Sequence, residues 1–577
     1  MPAPRCAPLS PESPRARPRG GAPRERLSRT GHWSTLHTMQ PAHRYDAIIV
    51  GAGVSGLYLL HRLREAGLSV LVVDQASGIG GTWFWNRYPG ARCDIESMTY
   101  SYSWSHELEQ EWVWTERYAG QPEILRYLEH VAERFDLHRD IRLETRVAEA
   151  AFDEEADRWT VTTAAGEHLS AAFLIMATGC LSVPRIPDIP GIERFAGELH
   201  HTGLWPQDGV GFAGRRVGVI GTGSSAVQAI PLIAEEADHL TVFQRTPNFS
   251  VPAWNGPLAA EVIADRKARA DRFRRKARTT AAGNPWDARR QSVWEATPEE
   301  REREFEERYA VGGFCLHAAY SDLFDDPAAN DLLAEFLRAK IRARVHDPEV
   351  AELLCPYDHP VGTKRMCVDT GYFETFNRPN VRLVSIRETP IAEITETGLR
   401  VGDERFAFDT IVLGTGFDAM TGALLAIDLR GRDGLALRDK WAHGPRSSLG
   451  LALAGFPNLF TVTGPGSPSV LSNMMVSIEQ HVDWIVRCIA YLREHGLATI
   501  EPTTDGEDAW VEHVRAVGDA SLYPRAQSWY MGTNIPGKPR VLMPYVGGVG
   551  TYRAVCDDVA GRGYGGFILR EASAATP

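Results

Sequence analysis

Tyr45-Asp-Ala-Ile-Ile-Val50, Gly51-Ala-Gly53-Val-Ser-Gly56, Leu57–Ala66 and Leu68–Asp74 follow one another without a break. An apolar run of strand length meets Gly-x-Gly-x-x-Gly, then residues of helical periodicity, then a second apolar run that ends on an acid. Each residue type has a task in that order. Gly51 permits the tight turn, Gly53 lets a pyrophosphate reach the backbone, and Gly56 lets helix close on strand. The amides of the first helical turn, where Ser55 stands, lack partners and attract phosphate. Asp74 is suited to accept hydrogen bonds from ribose hydroxyls. The stretch predicts a dinucleotide site on a Rossmann-type sheet.

The same order recurs further on. Arg215–Ile220 is a strand, Gly221-Thr222-Gly223-Ser224-Ser225-Ala226 a turn, the helix runs to about Glu236, and His239–Phe243 is the next strand. Ala226 replaces the third glycine, a variant the turn tolerates. Where the first site ends on an acid, this one has Gln244, Arg245 and Thr246. An acid would repel a 2′-phosphate, whereas a guanidinium grips it with two bonds. A charge-assisted hydrogen bond contributes about 1.5–3 kcal/mol, so a preference for NADPH of about ten- to a hundredfold is expected. Thr222, Gly223, Ser224, Ser225, Arg245 and Thr246 are the candidate contacts of this second cofactor. Two such units predict an α/β protein with two Rossmann-type dinucleotide-binding domains. Residues 255–345, rich in Arg, Glu and Ala, read as a helical insertion in the second, and the charge run Glu299–Arg308 reads as a solvated helix face.

A chain of 577 residues is too long for one core. A net charge of -12 argues against nucleic acid as a partner. No apolar run reaches the length of a membrane span, so no membrane attachment is expected. The eight cysteines contain no Cys-x-x-Cys pair, which argues against a metal site and a redox dithiol and for a reducing, cytoplasmic setting. Residues 1–44, rich in Pro and Arg, lack apolar runs and read as disordered. Residues 1–39 are set apart as an extension, with translation expected to start at Met39. A monomer is expected.

Between the two turns lies Phe195-Ala-Gly197-Glu-Leu-His-His201-Thr-Gly-Leu-Trp205-Pro206. Phe195, Gly197, His201, Trp205 and Pro206 match in full the pattern of type I Baeyer–Villiger monooxygenases. The chain resembles that family over about residues 40–570, most closely the branch of phenylacetone and steroid monooxygenases. The resemblance implies FAD on the first turn and NADPH on the second. It also implies insertion of one oxygen atom from O2 into a ketone through a flavin peroxide, to give an ester or lactone, with sulfoxidation as a side activity. Ala-Thr-Gly179 and Gly-Thr-Gly416 stand where the family leaves and re-enters its FAD domain. That gives an FAD-binding domain of 40–180 and 417–577 and an NADP-binding domain of 181–416, joined by the proline-rich Ser182–Pro190.

Gly80-Gly81-Thr82-Trp83-Phe-Trp85 to Tyr88-Pro89-Gly90-Ala-Arg92-Cys93-Asp94 resembles a second motif of the family. The resemblance places Gly81, Thr82, Trp83, Trp85, Arg92, Cys93, Asp94 and Tyr100 about the flavin and Val147 at its adenine end. Tyr357–Thr370 resembles the segment with the family's essential arginine, matched here by Arg365. The chemistry needs a charge that desolvation does not remove, to stabilise the peroxide anion and then the tetrahedral adduct. Asp94 is expected to hold that guanidinium, and Lys364 to bind a cofactor phosphate. Arg365 and Asp94 are thus the candidate catalytic pair. Ser469–Ser472 matches a bulge shaping the substrate pocket, Met474 a flavin contact, and Trp529 a mobile-loop tryptophan near the nicotinamide. His201 has two readings, a histidine bonded to backbone that holds the linker or a relay of domain movement. Cys180 departs from the pattern, standing where the phenylacetone-oxidising members carry a pocket glutamine, so the ketone is not implied.

Three alternatives share the nucleotide folds. A flavin monooxygenase acting on amines or sulfides lacks Trp205-Pro206 and needs no Arg365. A disulfide reductase needs a close cysteine pair after the first strands, and none is present. A flavin-binding sensor would show no substrate-stimulated NADPH oxidation.

Overall fold

The computed structural model describes residues 43–571. In the first sheet His43–Val50 runs parallel to Val70–Val73 on one side and to His168–Met176 on the other, and Ile141–Arg142 extends it in parallel beyond Val70–Val73. Arg158–Thr163 and Val147–Asp153 continue the opposite side as antiparallel strands. Two strands from late in the chain complete the sheet: Leu459–Thr461 beside His168–Met176, and Asp428–Arg430 beside Val147–Asp153, both parallel. The central strands are apolar without alternation because both faces are covered. Ala47, Ile49, Val70 and Val72 enter the core under the helix Val54–Glu65, while Ile48, Val50, Leu71 and Val73 enter the core on the other face.

The second sheet is wholly parallel, in the order Val381–Ser385, His239–Gln244, Arg216–Ile220, Thr410–Leu413, Glu198–His201. The helix Ser224–Glu236 covers one face. The antiparallel meander Ile391–Thr395, Gly398–Val401, Glu404–Ala407 covers the other, putting Ile394 and Leu399 against Ile220 and Phe243.

The insertion is helical, with Ala260–Ala268, Ala270–Ala277, Pro298–Val311 and Pro327–Arg344 as its helices. Its packing differs from the expectation of a unit within the second domain. Phe305, Leu316, Leu333 and Leu337 share one continuous core with Ile49 and Leu57 of the first sheet's layer. The end of the last of these helices turns to the other core, where Ile341 packs with Val345 and Phe373. The charge run is solvated as expected except at Phe305 and at Glu304, the latter buried and taking Arg308 at 2.5 Å and Arg289 at 2.6 Å. The disorder expected for 1–44 also needs correction at its end, since His43 and Arg44 already pair with Leu169 and Ser170. The rest of that expectation lies outside the described residues. Among the described residues no helix is long and apolar enough to cross a membrane.

Candidate active site

The first turn lies at the carboxyl end of its strand and is shaped by close backbone packing. A Cβ on Gly56 would stand 1.9 Å from the Gly51 carbonyl oxygen, so only glycine lets the helix begin there. That helix starts on Gly53 with no side-chain cap and no acid in its first turn, which leaves its amides for an anion. The Ser55 hydroxyl has no hydrogen-bond partner among the described residues. Asp74 accepts from the amides of Ala52 at 2.7 Å and Ala76 at 2.8 Å. Both carboxylate oxygens are thereby fixed, with lone pairs left for ribose hydroxyls.

The Gly80–Asp94 loop leans on this turn. The Gly80 amide donates to Ala52 O at 3.0 Å, and Gly81, at φ 55°, lies so close that its Cβ would be 3.0 Å from Gly53 Cα. Thr82–Trp85 form one helical turn, with Trp83 buried, Trp85 half-buried and Thr82 exposed. The Trp83 indole N–H donates to Tyr100 Oη at 3.2 Å. Arg92 is committed to Glu116 Oε2 and Tyr118 O, both at 3.1 Å, so its guanidinium braces the loop. Burial pushes the Cys93 thiol well above its ordinary value. The Val147 side chain belongs to the core under the sheet, which leaves only its backbone to face a cofactor.

At the second turn the helix Ser224–Glu236 again begins on a glycine with neither cap nor acid. The Thr222 hydroxyl donates to Thr246 O at 2.9 Å, tying the turn to the end of the next strand. Ser225 meets Thr202 Oγ1 at 3.1 Å, and Ser224 meets the Cys367 thiol at 3.6 Å. Lys364 is half-buried. Burial lowers its pKa, Arg245 and Arg387 add to this, and Asp358 opposes. Neither Lys364 nor Arg245 has a carboxylate at ion-pair distance among the described residues. Two open helix ends, a pinned acid at the first site and uncompensated cations at the second fit FAD and NADPH respectively.

Arg365 joins the two halves. Its Nε and Nη2 donate to the two oxygens of Asp94 at 2.6 and 2.7 Å, and Nη1 donates to Val470 O at 2.6 Å. The guanidinium carbon lies 5.2 Å from the Phe314 ring centre. Burial alone would lower its pKa, but the Asp94 carboxylate outweighs burial and the net shift is upward. The positive charge is therefore permanent. Asp94 follows Cys93 in the flavin loop, and Arg365 stands two residues before Cys367, which touches Ser224 of the second turn.

An apolar cluster lies beside this pair: Cys180, Met420, Val470, Tyr530 and Met543, with Met474 and Trp529 packed against it. Burial pushes the Tyr530 hydroxyl up to about 12 against the pull of Arg365. Ser469 holds φ 43°, in the left-handed region, and non-glycine residues there cluster at functional loops. His201 is buried, with its Nδ1 accepting from the Gly203 amide at 2.9 Å, the geometry of a linker anchor. Sequence reasoning missed Phe314, since the insertion carries no motif. It also named the 469–472 bulge without seeing that the Val470 carbonyl meets Arg365.

Residues 48–281 match the pyridine nucleotide-disulphide oxidoreductase family, although the seven described cysteines are all free. The chain is 45% identical over 528 residues to an acetone monooxygenase (methyl acetate-forming) of Gordonia sp. (strain TY-5), covering 91% of this chain and 99% of that protein. It is 41% identical over 538 residues to a Baeyer-Villiger monooxygenase of Pseudooceanicola batsensis, covering 92% and 98%. Among solved structures it resembles an oxidized steroid monooxygenase bound to NADP, with TM-score 0.88 and 52% identity over 92% of this chain and 100% of that one.

Proposed function

Because the chain belongs to the Baeyer–Villiger monooxygenases, we propose that its two turns and Arg365 form one centre that oxidises ketones to esters or lactones at the cost of NADPH and O2. The observation that carries this reading is the bidentate Arg365–Asp94 pair, which links the loop against the first turn to the segment against the second. The bound flavin supplies hydride acceptance from NADPH and the activation of O2 for transfer of one oxygen atom. The chain's own residues do the rest. Gly51, Gly53, Ser55, Gly56 and Asp74 hold the FAD pyrophosphate and ribose, and Gly81, Thr82, Trp83, Trp85, Cys93, Tyr100 and Met474 surround the ring. Thr222, Gly223, Ser224, Ser225, Arg245, Thr246 and Lys364 hold NADPH, with Trp529 beside its reactive end. Arg365 keeps a fixed positive charge where negative charge develops on oxygen. Its worth grows once the bound cofactors exclude water from it, and Asp94 sets its orientation.

The division into an FAD-binding part of 40–180 and 417–577 and an NADP-binding part of 181–416 belongs to the same reading, to which we add a monomer in a reducing, cytoplasmic setting, supported by the free cysteines among the described residues. The cluster of Cys180, Met420, Val470, Tyr530 and Met543 favours an apolar ketone. The test is to supply purified protein with NADPH, 18O2 and a panel of aryl, cyclic and steroidal ketones, and to analyse products by mass spectrometry. One labelled oxygen per ester is expected. Exclusive formation of N- or S-oxides from amine and sulfide controls, with no ester from any ketone, would overturn the reading.

A further inference from the structure

Cations from four parts of the chain gather at and beside the carboxyl ends of the second sheet's strands. Arg387 follows Val381–Ser385, Arg245 follows His239–Gln244, and Arg185 comes from the segment that crosses between the two halves, while Lys364 stands before Cys367–Asp369, which pairs with Ser250–Pro252 outside this sheet. The backbone fixes Arg185. Its amide donates to Gly416 O at 2.8 Å, its carbonyl accepts from Thr415 Oγ1 at 2.6 Å, and Pro184 bridges to Phe417. Thr415 and Gly416 continue the strand Thr410–Leu413 through Gly414. A Cβ on Gly221 would stand 2.4 Å from Gly414 O, so Arg185 lies along the flank of the phosphate-binding turn. Arg245 lies on the opposite flank, because Arg216–Ile220 runs between Thr410–Leu413 and His239–Gln244.

The gathered charges are not balanced. Arg387 takes Asp358 at 2.6 Å. Arg185, Arg245 and Lys364 have no carboxylate at ion-pair distance among the described residues. Arg185 is half-buried, and burial and then the charge of Arg245 act together to lower its pKa. Gathered like charges repel unless an anion lies between them. A phosphate monoester, with its two charges and three acceptor oxygens, answers that need.

We propose that Arg185 is a specificity-determining residue for the nicotinamide cofactor, closing the 2′-phosphate subsite from the crossing segment, opposite Arg245 and Lys364. This rests on reading the second turn as an NADPH site. The alternative place for a guanidinium on this flank is the face of the adenine ring, which would not distinguish NADPH from NADH.

Calorimetric titration of the FAD-loaded protein with 2′,5′-ADP and with 5′-AMP separates these cases, since the two nucleotides differ only by the 2′-phosphate. For Arg185→Gln the Kd of 2′,5′-ADP should rise about ten- to a hundredfold, with the Kd of 5′-AMP unchanged. Arg185→Lys should recover part of the loss, because the charge remains and the bidentate geometry does not. Flavin bleaching by NADPH, followed without ketone, should show the same selective loss relative to NADH. Equal weakening of both nucleotides, or no weakening, overturns the role of Arg185. If Arg245→Gln then loses 2′,5′-ADP selectively, the NADPH reading stands without Arg185. If the unmutated protein does not distinguish the two nucleotides, that reading and this proposal fall together.

Discussion

Arg365 is held by three stretches far apart in sequence: Asp94 by two hydrogen bonds, the Val470 carbonyl by one, and the Phe314 ring by its face. Arg365→Ala should retain FAD and still oxidise NADPH but yield no ester, as read by product chromatography beside NADPH consumption. Asp94→Asn replaces one of the two acceptor oxygens with a donor and so loses one charge-assisted bond, of about 1.5–3 kcal/mol. Ester formation should fall about ten- to a hundredfold, with flavin bleaching by NADPH little changed. If bleaching falls in proportion, Asp94 serves cofactor binding and not the guanidinium. The pairing of Asp94 with Arg365 was legible because both stand in motifs whose chemistry asks for a charge and its counterion. Phe314 was not, since an aromatic residue in an Arg- and Glu-rich helical segment gives no sign of what its face will meet.

The long helix Met474–Glu494 starts on Asn473, whose Oδ1 accepts from the Met475 amide at 3.1 Å and whose Nδ2 donates to Thr99 O at 2.9 Å. One side chain therefore caps the helix and ties it to the stretch before Tyr100. Asn473→Ala should cost about 1–3 kcal/mol of stability from cap and cross-link together, measured by urea unfolding, whereas loss of a cap alone would stay near the bottom of that range. At the first turn, Gly56→Ala should yield protein lacking the flavin absorption near purification, because its Cβ would lie inside the Gly51 carbonyl. The strands and both dinucleotide helices were legible at this scale. Their apolar runs and glycine spacing are local signals. Thr222 was legible only as a turn residue, for nothing in the sequence says that its hydroxyl is spent on Thr246 O.

Across the whole molecule, burial is uneven in its demands on charge. His481 is fully buried, with its pKa lowered to about 3 from an ordinary value of 6.5, first by burial and then by Arg553. His317 is lowered to about 4 by burial and by Arg365. Both folded values lie below the unfolded one, so their stabilising contribution is present above about pH 6.5 and is lost as pH falls. Between pH 6.5 and 4.5 each should add a slope of roughly 1.4 kcal/mol per pH unit to the unfolding free energy. His481→Gln should flatten the measured slope by that amount, and an unchanged slope would show that this imidazole titrates normally. The packing of the insertion against the first core also belongs to this scale. Its chain position pointed to the second half, whereas Phe305, Leu333 and Leu337 join the first core and Ile341 the second.

The sequence by itself determined the two nucleotide-binding units, the acid at one and the basic residues at the other, and the family, because turns, strand patterns and motif residues are set by contacts within a few positions. Tertiary structure alone decided which groups surround Arg365, where the insertion buries its apolar faces, and that Arg185 comes to lie across the phosphate turn from Arg245. Those outcomes depend on which distant surfaces meet, and no local preference of the chain encodes that meeting.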